Sequence, residues 1–305
     1  DAKGTFGSSL ACVHQHALVG MSSDSRALLR VLSPVDRATL ARVSAGGQEG
    51  RMSDAKAVVA KPKVPLDKRP DFGKILGVAG LYTTIAGLLN GIAVYEVGTP
   101  VGYTSGPCVN AGRFLAAGDP VARNILGICT MFYVGGIFAG VTGDACDGDA
   151  VFEGRMSPGM LFSSFLLALG AYAKRQNRPW LACQLWSLSQ GILNGISSRF
   201  SAAPIRATHT AGGQTDAAMT LGNAWIALTQ GKPTPPMRKV ILNIVCCFGM
   251  IFGGFGAHKI HAKWGKQYGA WLTLIPAAMQ AFAATALPAI IAPAAEEPED
   301  EKKTA

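Results

Sequence analysis

The sequence predicts an all-α, polytopic transmembrane helical bundle made of two tandem repeats of about four segments. Three observations carry this prediction. The 305 residues are 49% hydrophobic and 15% charged, where soluble domains run to about 25% charged. Uncharged runs recur along the chain, each near the ~20 residues an α-helix needs to cross a bilayer. Motifs also return at one offset of 104 residues: Asn90-Gly91-Ile92 with Asn194-Gly195-Ile196, Pro100 with Pro204, and Thr104 with Thr208. The 37 glycines in this apolar background fit closely approaching membrane helices.

Residues 1–74 form a basic N-terminal arm with 12 Lys/Arg against 7 Asp/Glu. Two short amphipathic helices are predicted there, Asp24–Leu32 and Pro34–Val43, the second with Ser33 as N-cap and Pro34 at its first position. Ala45–Lys74 reads as an extended, Lys/Pro-containing stretch. The first 45 residues faintly resemble a targeting peptide, and a retained arm is the favoured reading. Such an arm needs a surface to lie on, which points to partner subunits.

Membrane repeat 1 spans 75–178 and repeat 2 spans 179–292, followed by an acidic tail over 293–305. Six runs read as long spans: Ile75–Tyr95, Asn124–Gly143, Met156–Ala173, Pro179–Ser198, Val240–Ala257 and Gln267–Ala295. Two shorter segments, 97–118 and 205–231, are rich in Gly, Pro and Thr or end early. If they cross, each repeat has four crossings and both face the same way. If they do not, the repeats are three spans each and inverted. Positive-inside bias groups the N-terminus with the Arg113–Arg123 and Lys174–Arg178 loops. Eight crossings are therefore favoured, with Lys259, Lys263 and Lys266 falling on the wrong side. In the third spans, Ile137-Phe138-Ala139-Gly140 and Ile251-Phe252-Gly253-Gly254 match at offset 114, and Gly136/Gly140 and Gly249/Gly253 are predicted helix-packing faces.

The paired motifs carry a resemblance. Leu89-Asn90-Gly91 with Thr104-Ser105-Gly106, and Gln190-Gly191-Ile192-Leu193-Asn194 with Thr208-His209-Thr210-Ala211-Gly212 and Thr215-Asp216, resemble the YoaK-type family of uncharacterised polytopic membrane proteins. The resemblance covers roughly residues 75–292. Pro107 stands where that family has Asn, and Ala211 interrupts its Thr-Gly step. The resemblance implies a membrane bundle and no activity.

Candidate ligand- or ion-binding residues follow from the same motifs: Asn90, Thr104, Gly106, Asn194, Thr208, His209, Thr215 and Asp216. Amides buried in hydrocarbon must be hydrogen-bonded. Asn90 and Asn194 therefore either line a site between the repeats or brace the broken segments that follow them. Pro100–Gly106 and Pro204–Gly213 read as broken helices whose free backbone groups could hold an ion or small polar ligand. Glu96, His209 and Asp216 are the nearest ionisable groups, with structural pairing, such as Asp216 with Arg206 or His209, the plainer reading. Asp144, Asp147 and Asp149 lack the spacing of a calcium-binding loop and read as solvated. The polar residues on spans, among them Gln184, Gln190, Asn223, Asn243, His258 and Gln280, read as helix–helix hydrogen-bonding groups. In a photosynthetic membrane they could instead ligate a pigment.

Several classes are disfavoured. The +9 charge is spread over arm and loops, with no basic patch interleaved with aromatics, so nucleic acid is not an expected partner. Seven cysteines show neither CxxC pairs nor Cys/His metal spacing, and the adjacent Cys246-Cys247 read as small packing residues. No metal or catalytic residue is assigned, and the chain is not expected to be an enzyme. The favoured function is a non-catalytic accessory or structural subunit of a larger membrane complex, with other membrane-protein subunits and membrane lipids as partners. Lipid, chlorophyll or carotenoid are the conceivable cofactors, and an organelle membrane, thylakoid or mitochondrial inner, is the expected location. The alternative is a small-molecule or ion transporter with its site between the repeats.

Overall fold

The computed structural model describes residues 68–142, 156–198, 205, 207–208 and 210–291. The arm helices, the acidic 144–149 loop, Arg206, His209 and the C-terminal tail lie outside the described residues. All described regular structure is helical. The elements are α1 (Phe72–Val97), α2 (Ser105–Ala116), α3 (Val121–Thr142), α4 (Pro158–Arg175), α5 (Pro179–Ser197), α6 (Thr210–Thr229), α7 (Arg238–Tyr268), a 3₁₀ turn (Gly269–Thr273) and α8 (Leu274–Ile291). Three stretches are long and apolar enough to cross a membrane: Phe72–Val97, Val121–Thr142 and Arg238–Ile291, the last comprising α7, the 3₁₀ turn and α8.

Local chemistry sets the boundaries. α1 stops at Gly98, whose φ of 79° lets its N–H fold back onto Val94 O. α4 starts with Pro158 behind Ser157, which accepts from the Met160 N–H. Pro179 opens α5. The tight α4–α5 connection needs a left-handed residue, and Asn177 takes it at φ 58°.

Contacts between residues far apart in sequence fix the helix directions. Lys174 Nζ at the end of α4 donates to Glu96 O at the end of α1, 2.8 Å away, and His261 Nε2 near the end of α7 lies 3.1 Å from Glu96 Oε1. At the opposite end, Lys74 Nζ donates to Ile291 O of α8 at 2.6 Å and Arg238 Nη1 of α7 to Arg69 O at 2.6 Å. So α1, α4 and α7 run toward the Glu96 end. α5 forms a hairpin with α4 and runs back, and α8 follows α7 back in the same way. α3 lies parallel to α5, because Gly127 meets Gln184 early in both and Gly136 meets Gly195 late in both.

This arrangement departs from the eight-crossing expectation. α1 ends and α3 begins at the Glu96 end, while α5 ends and α7 begins at the Lys74 end. Neither intervening segment carries the chain from one end to the other. α2 has 12 residues, about 18 Å of helix at 1.5 Å per residue, well short of a ~30 Å hydrocarbon layer. Length, set by the Gly98 stop and the loop behind it, is why it does not span.

The most extensive packing joins α1 to α7 and α5 to α3. Both crossings use the same small residues in the same way. A Cβ at Gly91 would collide with the Ala257 methyl, 3.6 Å from Gly254 O; one at Gly195 would collide with the Ala139 methyl, 3.6 Å from Gly136 O. Gly87 abuts the Met250 backbone and Gly191 the Phe132 backbone. These pairs relate 91 to 195 at offset 104, but 257 to 139 and 250 to 132 at offset 118. The sequence match at 114 is thus one helical turn out of register: Gly135-Gly136 corresponds to Gly253-Gly254.

The predicted packing glycines separate accordingly. Gly249 sits against the Thr83 hydroxyl and Gly253 against Thr84 O, both in the α1–α7 crossing. Gly136 reaches the α5 crossing through its backbone at Gly195, whereas a Cβ at Gly140 would meet nothing within 4 Å. The residue that takes the close approach on α3 is Gly135, against Leu188 O.

Candidate functional site

The chain leaves α1 at Gly98 and turns back into the bundle, so Val101 (1% exposed) and Gly102 are buried two turns below the helix end. Irregular backbone at such depth must find hydrogen bonds within the protein. Asn90 supplies them. Its Oδ1 accepts from the Val101 N–H at 3.0 Å and the Gly102 N–H at 2.7 Å, and its Nδ2 donates to Ala86 O at 2.9 Å. Three of the amide's four bonding positions are used, so Asn90 is a brace for the re-entering loop. α2 then climbs back along α3, with Cys108 Sγ 3.6 Å from Cys129 Sγ.

Asn194 plays a related part in the second half. Its Oδ1 accepts from the Thr208 N–H at 3.4 Å, and Ile205 and Ala207 are as deeply buried as Val101. Among the described residues both amides thus accept from the backbone of the segment that follows, Asn90 from Val101 and Gly102 and Asn194 from Thr208.

Gln190 of α5 completes the site. It is fully enclosed, and neither Oε1 nor Nε2 has a hydrogen-bond partner among the described residues. Leaving such a group unmatched costs about 1–3 kcal/mol. Its Oε1 points at Gly102: a Cβ there would lie 3.0 Å from that oxygen and would collide with the Asn90 amide. Only glycine lets loop, brace and Gln190 converge. α5 carries further enclosed polar groups around Gln190. Ser189 Oγ meets Ser163 Oγ at 2.8 Å, and Ser163 Oγ also lies 3.2 Å from Gln280 Oε1.

The other sequence candidates are dispersed. Thr104 is the N-cap residue of α2 without a side-chain capping bond, and Gly106 stands beside the Tyr103 ring. Thr208 is 3% exposed and close to Asn194. Thr215 and Asp216 lie on the exposed face of α6, Thr215 bonding Ala211 O and Asp216 pairing with Lys239 Nζ at 3.0 Å. They do not approach Asn90, Asn194 or Gln190. Glu96 belongs to a cluster at the bundle's end, where Tyr95 stacks on the His261 ring at 4.5 Å and its hydroxyl lies 2.6 Å from His258 Nδ1. Among the described residues no three His, Cys, Asp or Glu side chains group as a metal site.

Gly102 carries no mark in the sequence, because its reason for being glycine is a tertiary approach. Gln190 stands there among the polar residues on spans, but nothing in the one-dimensional pattern distinguishes it from Gln184.

A family model covers residues 78–286, more than two thirds of the chain, and carries the description "Protein of unknown function (DUF1275)". The chain belongs to the DUF1275 family. The DUF1275 match begins inside α1 and ends inside α8, so it holds the Asn90 brace, Gly102 and Gln190 together with both close helix crossings. No curated protein and no solved structure matches the chain.

Proposed function

We propose that this DUF1275 protein is a non-catalytic membrane carrier for a small polar solute, built from two inverted copies of a three-span unit. In this reading α1, α3 and α4 form one copy, and α5, α7 and α8 the other. α2 and α6 are non-crossing segments that follow the first span of each. The observation that carries it is the antiparallel relation of the two exchanged crossings, α1 on α7 and α5 on α3, made by the same glycines at constant offsets. Inverted repeats with broken segments meeting near the midplane are a recurrent plan of secondary transporters. Gln190, without a hydrogen-bond partner among the described residues and beside the Asn90-held loop, supplies the polar group that a solute would meet. The motif likeness to YoaK-type proteins agrees with this reading at the level of the bundle.

Both ends of the bundle are basic. Arg113, Arg123, Lys174, Arg175, Arg178 and the Lys259–Lys266 cluster fall at the Glu96 end, while Lys68, Arg69, Lys74, Arg238 and Lys239 fall at the other. Six crossings bring Lys259, Lys263 and Lys266 to the side of the Lys174–Arg178 loop and move residue 68, at the end of the basic arm, to the opposite side.

The test is reconstitution into sealed vesicles with a panel of small neutral and charged polar solutes. Uptake above protein-free vesicles is expected, and Gln190→Leu should abolish it while the protein still elutes as a folded particle. Absence of uptake for every solute, together with co-purification of a stoichiometric membrane partner, would overturn the carrier reading. It would leave the accessory-subunit reading, which draws support from the uncovered outer face of α6, where Met219, Trp225 and Leu228 are each more than 60% exposed. An organelle membrane, thylakoid or mitochondrial inner, remains part of our reading only through the long basic arm.

A further inference from the structure

The wall between α6 and α7 contains a groove of about 310 Å³, lined chiefly by apolar side chains from both helices, with Gln214 and Asn243 as its polar members. On α7 the lining follows one stripe, Asn243, Cys247 and Ile251, with Ile244 and Phe248 beside it. From Asn243 to Ile251 that stripe is about 12 Å long at 1.5 Å per residue. Half of a ~30 Å hydrocarbon layer is about 15 Å. The groove therefore has the length of most of one leaflet and lies in a stretch able to span a membrane.

Its two ends differ chemically. Ile244, Phe248 and Ile251 are 44%, 67% and 66% exposed, so the deep part is open and apolar. One turn outward from Asn243 stands the Lys239–Asp216 pair, both side chains about half exposed. Between these ends Asn243 Nδ2 has no hydrogen-bond partner among the described residues. A donor of this kind in a hydrocarbon setting calls for an acceptor. From headgroup level inward, the order is a paired positive and negative charge, the Asn243 amide, the Gln214 amide donating to Cys247 Sγ at 3.4 Å, then the apolar side chains of Phe248 and Ile251. That is the order of a glycerolipid: a charged headgroup, an ester carbonyl, then an acyl chain.

We propose that this groove is a binding site for one glycerolipid of the surrounding bilayer. An acyl chain lies along Ile244, Phe248 and Ile251, an ester carbonyl accepts from Asn243 Nδ2 once the amide turns about χ2, and the headgroup rests at Lys239 and Asp216. Gly213 belongs to the same design, because a Cβ there would press on Asn243 Oδ1 at 2.9 Å and fix the amide against such a turn. The proposal concerns lipid occupancy and stands apart from whether the protein carries a solute.

The experiment uses the full chain reconstituted in phosphatidylcholine vesicles containing a trace of phosphatidylcholine with a photoreactive diazirine on one acyl chain. Crosslinked peptides are then mapped by mass spectrometry. Labelling is expected to be concentrated on the α6 and α7 lining residues. Ala218→Phe, which fills the groove from its exposed side, should lower that labelling at least fivefold while labelling of exposed residues on α3, such as Tyr133 and Val141, stays as in the wild type. Asn243→Leu should weaken it in the same region. Labelling spread evenly over every exposed apolar face, or groove labelling unchanged by Ala218→Phe, would overturn the proposal.

Discussion

Asn90 shows how one amide lets a chain break inside a membrane-like core. Its side chain replaces the helical partners that the Val101 and Gly102 N–H groups lack. Asn90→Ala would leave both donors buried and unmatched, and we expect a loss of about 1–3 kcal/mol, measured by denaturant or thermal unfolding in detergent. Asn194→Ala removes the acceptor of the Thr208 N–H and should destabilise within the same range; an unchanged unfolding midpoint would mean that other groups hold the second segment. Gln190→Leu should change stability little or raise it, because removing an amide that has no partner among the described residues also removes its desolvation cost. It is the natural variant for separating function from folding, and both amides are visible in the sequence while only their partners distinguish a brace from an open polar group.

Elements are held together where backbones touch. The helix pairs α1–α7 and α5–α3 approach so closely that a methyl at Gly87 or Gly191 would strike main chain on the facing helix. Gly87→Ala and Gly191→Ala should therefore each destabilise by about 1–3 kcal/mol, the usual cost of overpacking. Gly140→Ala, which meets open space, should be neutral or slightly stabilising through helix propensity. Unfolding of the three variants side by side checks this ordering, and a large loss at Gly140 would contradict the 118-residue register of the two crossings. The pattern of small residues four apart was legible in the sequence. Which glycine of each cluster faces the neighbour was not: the 114 match aligned similar letters, whereas contact geometry aligns at 118.

At the scale of the whole molecule, helix directions place residue 177 at the Glu96 end and residue 68 at the Lys74 end. Eight crossings would put both on one side. Single cysteines introduced by Asn177→Cys and Lys68→Cys in a background lacking the native cysteines should label from opposite faces of sealed vesicles with a membrane-impermeant thiol reagent. Labelling of both from one face would restore the eight-crossing arrangement and, with it, the same-orientation repeats. The carrier reading would then lose its main support.

Composition and run length by themselves determined that the chain is a helical membrane-type bundle, because a hydrocarbon solvent constrains sequence through burial and backbone hydrogen bonding alone. The 104-residue echo also marked both asparagines and the broken segments behind them. Tertiary structure alone decided that the first of those segments turns back onto Asn90, that Gly102 lies against Gln190, and that α1 and α7 run opposite to α3 and α5. Direction and approach depend on which surfaces meet across more than a hundred residues, and no local pattern of letters records that.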